Sequence, residues 1–342
     1  MEELRRARAA LGSDVLVLAH HYQRDEVVAW ADHVGDSLEL SVQAARSAAR
    51  WIVFCGVGFM AETAALLARP GQKVFLPRPE AGCPLAEQVD PASLRAAWQT
   101  LGRVLDMDEV LPVAYINTHA EVKAFVGERG GICCTSSSAE RILRWAFARR
   151  PRVLFLPDHN LGLNTARLLG LPQEEIAIWD PRCPPADLSP FARAQLILWR
   201  GACPVHMRFL PEDVARIRRE HPGVRVLVHP ECRPEVVAQA DEVGSTARIV
   251  RRLQEAPAGS AWAIGTEQRL VARLARAHPD KTVLPLADYP PFCPTMSLTR
   301  ARDLARLLVA LAQGQEPEGV RLPEEVAEPA RAALQRMLAV AA

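Results

Sequence analysis

The chain has 342 residues, 49% apolar and 24% charged, and its 41 basic and 40 acidic side chains leave a formal charge of +1. That is a globular profile with no basic stripe interleaved with aromatics, which excludes nucleic acid as the expected partner. The charged N-terminus lacks a signal-peptide core and no stretch approaches the roughly 18 apolar residues that span a bilayer, so the expectation is a cytoplasmic protein without membrane contact.

In chain order, short Val, Ile and Leu runs predict strands at Val15–Ala19, Ile52–Cys55, Val74–Leu76, Pro112–Ile116, Val153–Leu156, Ile176–Trp179, Leu196–Trp199, Val224–Val228, Trp262–Ile264 and Val283–Leu286. They lack clean alternation, as strands buried on both faces of a parallel sheet do. Helix-like segments separate them. The clearest is Ala301–Leu311, with Leu304, Leu307, Leu308 and Leu311 on one face. Strand–helix alternation throughout predicts an α/β protein.

Three stretches follow one plan. The first runs from a strand to His20-His21-Tyr22, Gly35-Asp36-Ser37, a strand with Cys55-Gly56, and Cys83. The second runs through Tyr115-Ile116-Asn117, Cys134-Thr135-Ser136, Pro157-Asp158 and Cys203, with an insertion around Pro181–Ala194. The third runs through His229-Pro230-Glu231, Gly244-Ser245-Thr246, Gly265-Thr266-Glu267 and Cys293. His20 to Asp36 and His229 to Ser245 are both 16 apart; Cys55 to Cys83 and Gly265 to Cys293 are both 28 apart. The expected architecture is three homologous αβα domains with small parallel sheets around a pseudo-threefold axis, with the site at the centre. The expected boundaries are 1–92, 93–209 and 210–314, followed by a helical tail at 315–342. A hydroxyl at a helix start is often a plain N-cap. In three parallel copies, strand ends and helix N-termini converging on an anionic ligand is the sharper reading.

Of the eight cysteines, Cys83, Cys203 and Cys293 each precede a proline in a Gly- or Pro-punctuated loop. Spacings near 100 residues exclude a zinc ribbon or a ferredoxin pattern. On the residues alone, two readings stand: thiolates around a soft metal, or loop packing. Cys183-Pro184 rivals Cys203. Cys55, Cys133 and Cys134 read as packing, and Cys232 as a neighbour of the site.

Together these residues resemble the quinolinate synthase family, over about Val15 to Met337. The motifs that carry the resemblance are Leu18-Ala19-His20-His21-Tyr22-Gln23, Gly35-Asp36-Ser37-Leu38, Ala81-Gly82-Cys83, Tyr115-Ile116-Asn117 and Cys134-Thr135-Ser136-Ser137. The C-terminal half adds Gly201-Ala202-Cys203-Pro204-Val205-His206, His229-Pro230-Glu231-Cys232, Gly244-Ser245-Thr246 and Cys293-Pro294-Thr295-Met296. Trp179-Asp180-Pro181 resembles the longer form of the family.

The resemblance implies a 4Fe-4S cluster on Cys83, Cys203 and Cys293 with one iron open. It implies condensation of iminoaspartate with dihydroxyacetone phosphate to quinolinate, with release of phosphate and water, in de novo NAD synthesis. L-aspartate oxidase or aspartate dehydrogenase would supply the iminoaspartate. It implies Tyr22 and Glu231 as an acid–base pair, with His20 and His229 binding substrate or moving protons. Ser37, Ser136, Ser245 and Thr246 would hold carboxylate or phosphate oxygens, Tyr115 and Asn117 would position the intermediate, and His206 would lie near the cluster. The chain departs from the family at Ser138, Leu163, Gly58, Leu85 and Glu87. Two rival readings remain: another 4Fe-4S hydrolyase acting on a small hydroxy acid, and an iron–sulfur sensor, for which the sequence shows no output surface.

Overall fold

The structure is a computed structural model that describes residues 2–341. The chain forms three small, wholly parallel sheets with helices between their strands, so the expected α/β class is what folds. The first sheet holds β1 (Val15–His20), β2 (His33–Gly35), β3 (Trp51–Cys55) and β4 (Lys73–Phe75) in the order β2-β1-β3-β4. The second holds β5 (Val110–Tyr115), β6 (Ile132–Cys134), β7 (Arg152–Leu156), β8 (Ile176–Trp179) and β9 (Leu196–Trp199) in the order β6-β5-β7-β9-β8. The third holds β10 (Arg225–Val228), β11 (Glu242–Val243), β12 (Ala261–Gly265) and β13 (Thr282–Pro285) in the order β11-β10-β12-β13. The first and third sheets share one topology, and the second is that topology with β8 added at its edge.

Every sequence-predicted strand forms, within two residues. The three that sequence reading missed, β2, β6 and β11, are the equivalent edge strand of each sheet and run two or three residues. Two or three residues are too few to show a strand period, and β2 is exposed at its first two residues. The central strands β3 and β9 are buried along their whole length, because helices cover both faces.

The cysteine loops repeat as closely as the sheets. A three-residue 3-10 turn begins three residues after each of Cys83, Cys203 and Cys293: Ala86–Gln88, His206–Arg208 and Met296–Leu298. An α-helix then begins eight residues after each cysteine: Pro91–Leu101, Pro211–Glu220 and Ala301–Ala312.

The chain divides into two compact units: Met1–Cys83, Glu267–Arg273 and Phe292–Pro323 in one, Pro84–Thr266, Leu274–Pro291 and Glu324–Ala342 in the other. In the first unit the core joins Leu4, Ala7 and Leu11 of the first helix to Val15, Val17, Val53 and Phe75 of the sheet and to Leu304, Leu307, Leu308 and Leu311. The predicted stripe of Ala301–Leu311 is therefore core. In the second unit one core packs Phe209, Val214 and Ile217 on Val226, Val228, Ala263 and Leu286. There too the helix Glu324–Ala341 lies on the helix Ala120–Glu128. They approach so closely that a Cβ on Gly127 would fall 1.8 Å from the Pro329 carbonyl oxygen, so only glycine fits.

Candidate functional site

The polar residues singled out in the sequence sit where strands end. In the first unit, β1 ends at His20 and the chain turns: the Gln23 amide donates to the His20 carbonyl (3.0 Å) and the Tyr22 amide to His20 Nδ1 (3.1 Å). The His20 and Tyr22 rings meet edge to face at 4.6 Å. Nδ1 accepts, so the proton of neutral His20 sits on Nε2. Arg273 binds the back of this turn, donating to the His21 carbonyl (2.8 Å) and the Gln23 carbonyl (2.8 Å) while pairing with Asp25 (2.9 Å). Burial, then the Arg273 charge, pushes His21 down to about 4.

In the second unit the turn after β10 repeats that geometry. The Cys232 amide donates to the His229 carbonyl (3.0 Å) and the Glu231 amide to His229 Nδ1 (3.3 Å). Glu231 therefore occupies the place in its turn that Tyr22 has in the first. Here the equivalent carbonyls, of Pro230 and Cys232, are held by the Asn164 carboxamide at 2.8 and 2.9 Å. Sequence reading found the two turns but not Arg273 or Asn164, which lie hundreds and tens of residues away along the chain.

Around Glu231 a buried polar network closes. His206 Nδ1 lies 2.6 Å from Glu231 Oε2, and His206 Nε2 lies 3.1 Å from the Thr266 hydroxyl. His206 thus lies between the Thr266 hydroxyl and the Glu231 carboxylate, both buried with it. The Tyr115 phenol, at the end of β5, donates to the same carboxylate. The His206 and His229 rings stack at 4.3 Å. Burial pushes Glu231 up, but the two imidazoles and the Tyr115 hydrogen bond overcome it and hold the carboxyl below its usual range. Burial, reinforced by His206 and opposed by the Glu231 charge, pushes His229 down to about 3. Charging both stacked rings at once is unfavourable.

The cysteines separate by environment. Cys55, Cys133, Cys134 and Cys232 are fully buried, and burial pushes their thiols up, Cys55 and Cys133 to about 12. Such thiols are inert packing groups. Cys183 is exposed, whereas Cys83, Cys203 and Cys293 are half-buried in their loops. Gly201 lets the Cys203 loop pass β7: a Cβ there would lie 2.5 Å from the Pro157 carbonyl oxygen. Gln88 grips the same loop, accepting from the Ala202 amide (3.0 Å) and donating to the Ala202 carbonyl (3.0 Å). Cys203, His206 and Glu231 have ligand atoms within 4.8 Å of one another, a group that could hold a metal ion.

The helix-start hydroxyls differ in use. Asp36, not Ser37, caps its helix, in a capping box with Glu39, and Ser37 is the first helical residue. Ser245 is an N-cap, accepting from the Arg248 amide at 3.3 Å, with Thr246 buried beside it. Ser138, one of the departures, closes the turn after β6 by accepting from the Thr135 amide (2.9 Å), while Ser136 and Asn117 stay half-buried. Gly58 gives its amide to the Ala81 carbonyl (2.8 Å). Among the described residues no helix is long and apolar enough to cross a membrane.

Residues 2–339 match the family model described as quinolinate synthetase A protein (NadA). A protein of Acidobacterium capsulatum named quinolinate synthase is 46% identical over 99% of this chain and 92% of its own length. Its namesakes from Herpetosiphon aurantiacus (46%, covering 98% of this chain and 91% of that one) and Streptomyces coelicolor (48%, 98% and 87%) match as extensively.

Proposed function

The chain belongs to the quinolinate synthase family, an enzyme family of NAD biosynthesis, and on that premise we propose that it condenses iminoaspartate with dihydroxyacetone phosphate to quinolinate, releasing phosphate and water. The observation that carries the proton chemistry is the repeated turn, which presents His20 with Tyr22 and His229 with Glu231 in the same hydrogen-bonded geometry. Moving a carbonyl along the triose after phosphate loss needs a base on one carbon and an acid on the oxygen. Glu231, kept ionised by its imidazole and phenol partners, is the base, and Tyr22 the acid. His229, whose Nδ1 accepts from the Glu231 amide, would offer Nε2–H to a developing oxyanion. Ser37, Asn117, Ser136, Ser245 and Thr246 are the proposed holders of substrate carboxylate and phosphate oxygens.

We assign Cys83, Cys203 and Cys293 to a 4Fe-4S cluster. Their half-buried loops and shared 3-10 turns fit soft-metal ligation, and four of the remaining cysteines are sealed in the core. When bound, an iron without a cysteine ligand supplies Lewis acidity toward a hydroxyl or carboxylate. Iminoaspartate hydrolyses in water, so L-aspartate oxidase or aspartate dehydrogenase must deliver it fresh. The proximity of Cys203, His206 and Glu231 favours a second reading, a single metal ion on those three.

One experiment separates the readings. Anaerobically reconstituted protein is assayed for iron, sulfide and quinolinate formation from dihydroxyacetone phosphate and iminoaspartate made in place. About four irons with matching sulfide, and quinolinate only when they are present, is the expected result. One metal without sulfide favours the mononuclear site. A full cluster without quinolinate points to a hydrolyase acting on a small hydroxy acid.

A further inference from the structure

We propose that Asp158 and Glu267 are positioning residues, each fixing one cluster cysteine by binding that cysteine's own backbone amide. The inference rests on the ligand assignment above. Asp158 caps the helix His159–Leu169 and Glu267 immediately precedes the helix Gln268–Ala277. Both are fully buried. Asp158 splits its two oxygens: Oδ1 accepts from the Leu161 amide (2.8 Å) and Oδ2 from the Cys203 amide (3.1 Å). Glu267 does the same, with Oε2 on the Arg269 amide (2.7 Å) and Oε1 on the Cys293 amide (3.2 Å) and on Arg269 Nη1 (3.0 Å). One oxygen of each carboxylate grips a helix start, and the other grips the cysteine. That bond sets the direction in which the cysteine side chain leaves the loop.

The two contacts are equivalent in the repeats. Val57 and Glu267 both lie 26 residues before their cysteine and both precede the helix that follows the central strand. Val57 caps the helix Gly58–Leu67 without a side-chain bond, and there the main chain makes the link, from the Gly58 amide to the Ala81 carbonyl. The chain thus uses an acidic clamp in two repeats and a backbone one in the first. Groups that orient metal ligands in this way are typically worth about 10- to 100-fold in metal affinity when removed.

An amide side chain tests the idea with almost no change of volume. Asn or Gln offers one accepting oxygen and one donating NH2, so it keeps the helix start but turns a donor toward the cysteine amide. Asp158→Asn and Glu267→Gln are compared with wild type in two ways. In metal-free protein, alkylation of each cysteine is followed by mass spectrometry. Reconstituted protein is followed by iron loss to a chelator and by the electron paramagnetic resonance of the reduced cluster. The expected result is faster alkylation at Cys203 alone in Asp158→Asn and at Cys293 alone in Glu267→Gln, with Cys83 unchanged in the same samples. Iron loss should quicken by about tenfold or more with an altered resonance, and Asp158→Glu, which keeps two accepting oxygens, should restore much of the wild-type rate. Unchanged alkylation in both variants overturns the proposal, as does an equal rise at all three cysteines, which marks general loosening. The two carboxylates lie in different units, so a folded variant of either one decides the question. If wild type takes up no cluster, the ligand assignment fails, while the alkylation arm still judges the clamps.

Discussion

The turns after β1 and β10 have the same backbone bonds but live in different surroundings. In the first, His20 and Gln23 are buried but His21 and Tyr22 between them are half-buried, and a guanidinium that is itself partly exposed holds the turn. His229, Pro230, Glu231 and Cys232 are all buried, and the buried Asn164 holds theirs. The difference suits the roles proposed for Glu231 and Tyr22. A carboxylate base must be shielded from water and held by a fixed set of donors to keep its charge and place. A phenol that gives up a proton keeps a path to solvent.

Breaking the sealed turn should cost most. In Asn164→Leu two buried carbonyls lose their donors where water cannot replace them, and we expect a loss of about 2 kcal/mol in stability and of about 100-fold in turnover. Chemical denaturation and quinolinate assays measure both; a loss smaller than that of the next variant would overturn the contrast. Arg273→Leu removes the same two bonds from the first turn, where water can reach the half-buried His21 and replace part of the loss, so about 1 kcal/mol and about tenfold in turnover are expected. A third change sharpens the contrast, because only the first turn carries a titratable side chain where the other has Pro230. His21 is held down to about 4 in the fold and rises toward 6.5 when unfolded, so the unfolded chain binds the extra proton. Its neutral form supports the fold above about pH 6.5, and that support is lost as pH falls toward 4, by at most about 1.4 kcal/mol per pH unit. His21→Asn should flatten this part of the stability profile; an unchanged slope between pH 6.5 and 4 would count against it.

How much of this was legible in the sequence depends on how far apart the partners lie. Buried central strands such as Trp51–Cys55 announce themselves as apolar runs, and the repeat register singles out His20, Tyr22, His229 and Glu231. The edge strands stayed hidden because two or three residues leave no periodicity. Asp158, Asn164, Glu267 and Arg273 stayed hidden because their meaning lies in contacts 45, 68, 26 and 250 residues away. In sequence, Asp158 and Glu267 belong to the repeat plan, but nothing there ties them to a cysteine amide. Ser245 shows the converse: its hydroxyl, read as a ligand-holding group, also serves as an ordinary helix cap.

The central proposal is that Tyr22 and Glu231 act in one proton transfer, and a double-mutant comparison of Tyr22→Phe, Glu231→Gln and the combined variant tests it most directly. Turnover is measured on protein shown to carry its full iron and sulfide. Each single variant should lose about 100-fold or more, and the double should be little slower than the slower single, because residues acting on one step are not additive. Near-normal turnover in either single variant would contradict the claim, and so would losses that simply multiply.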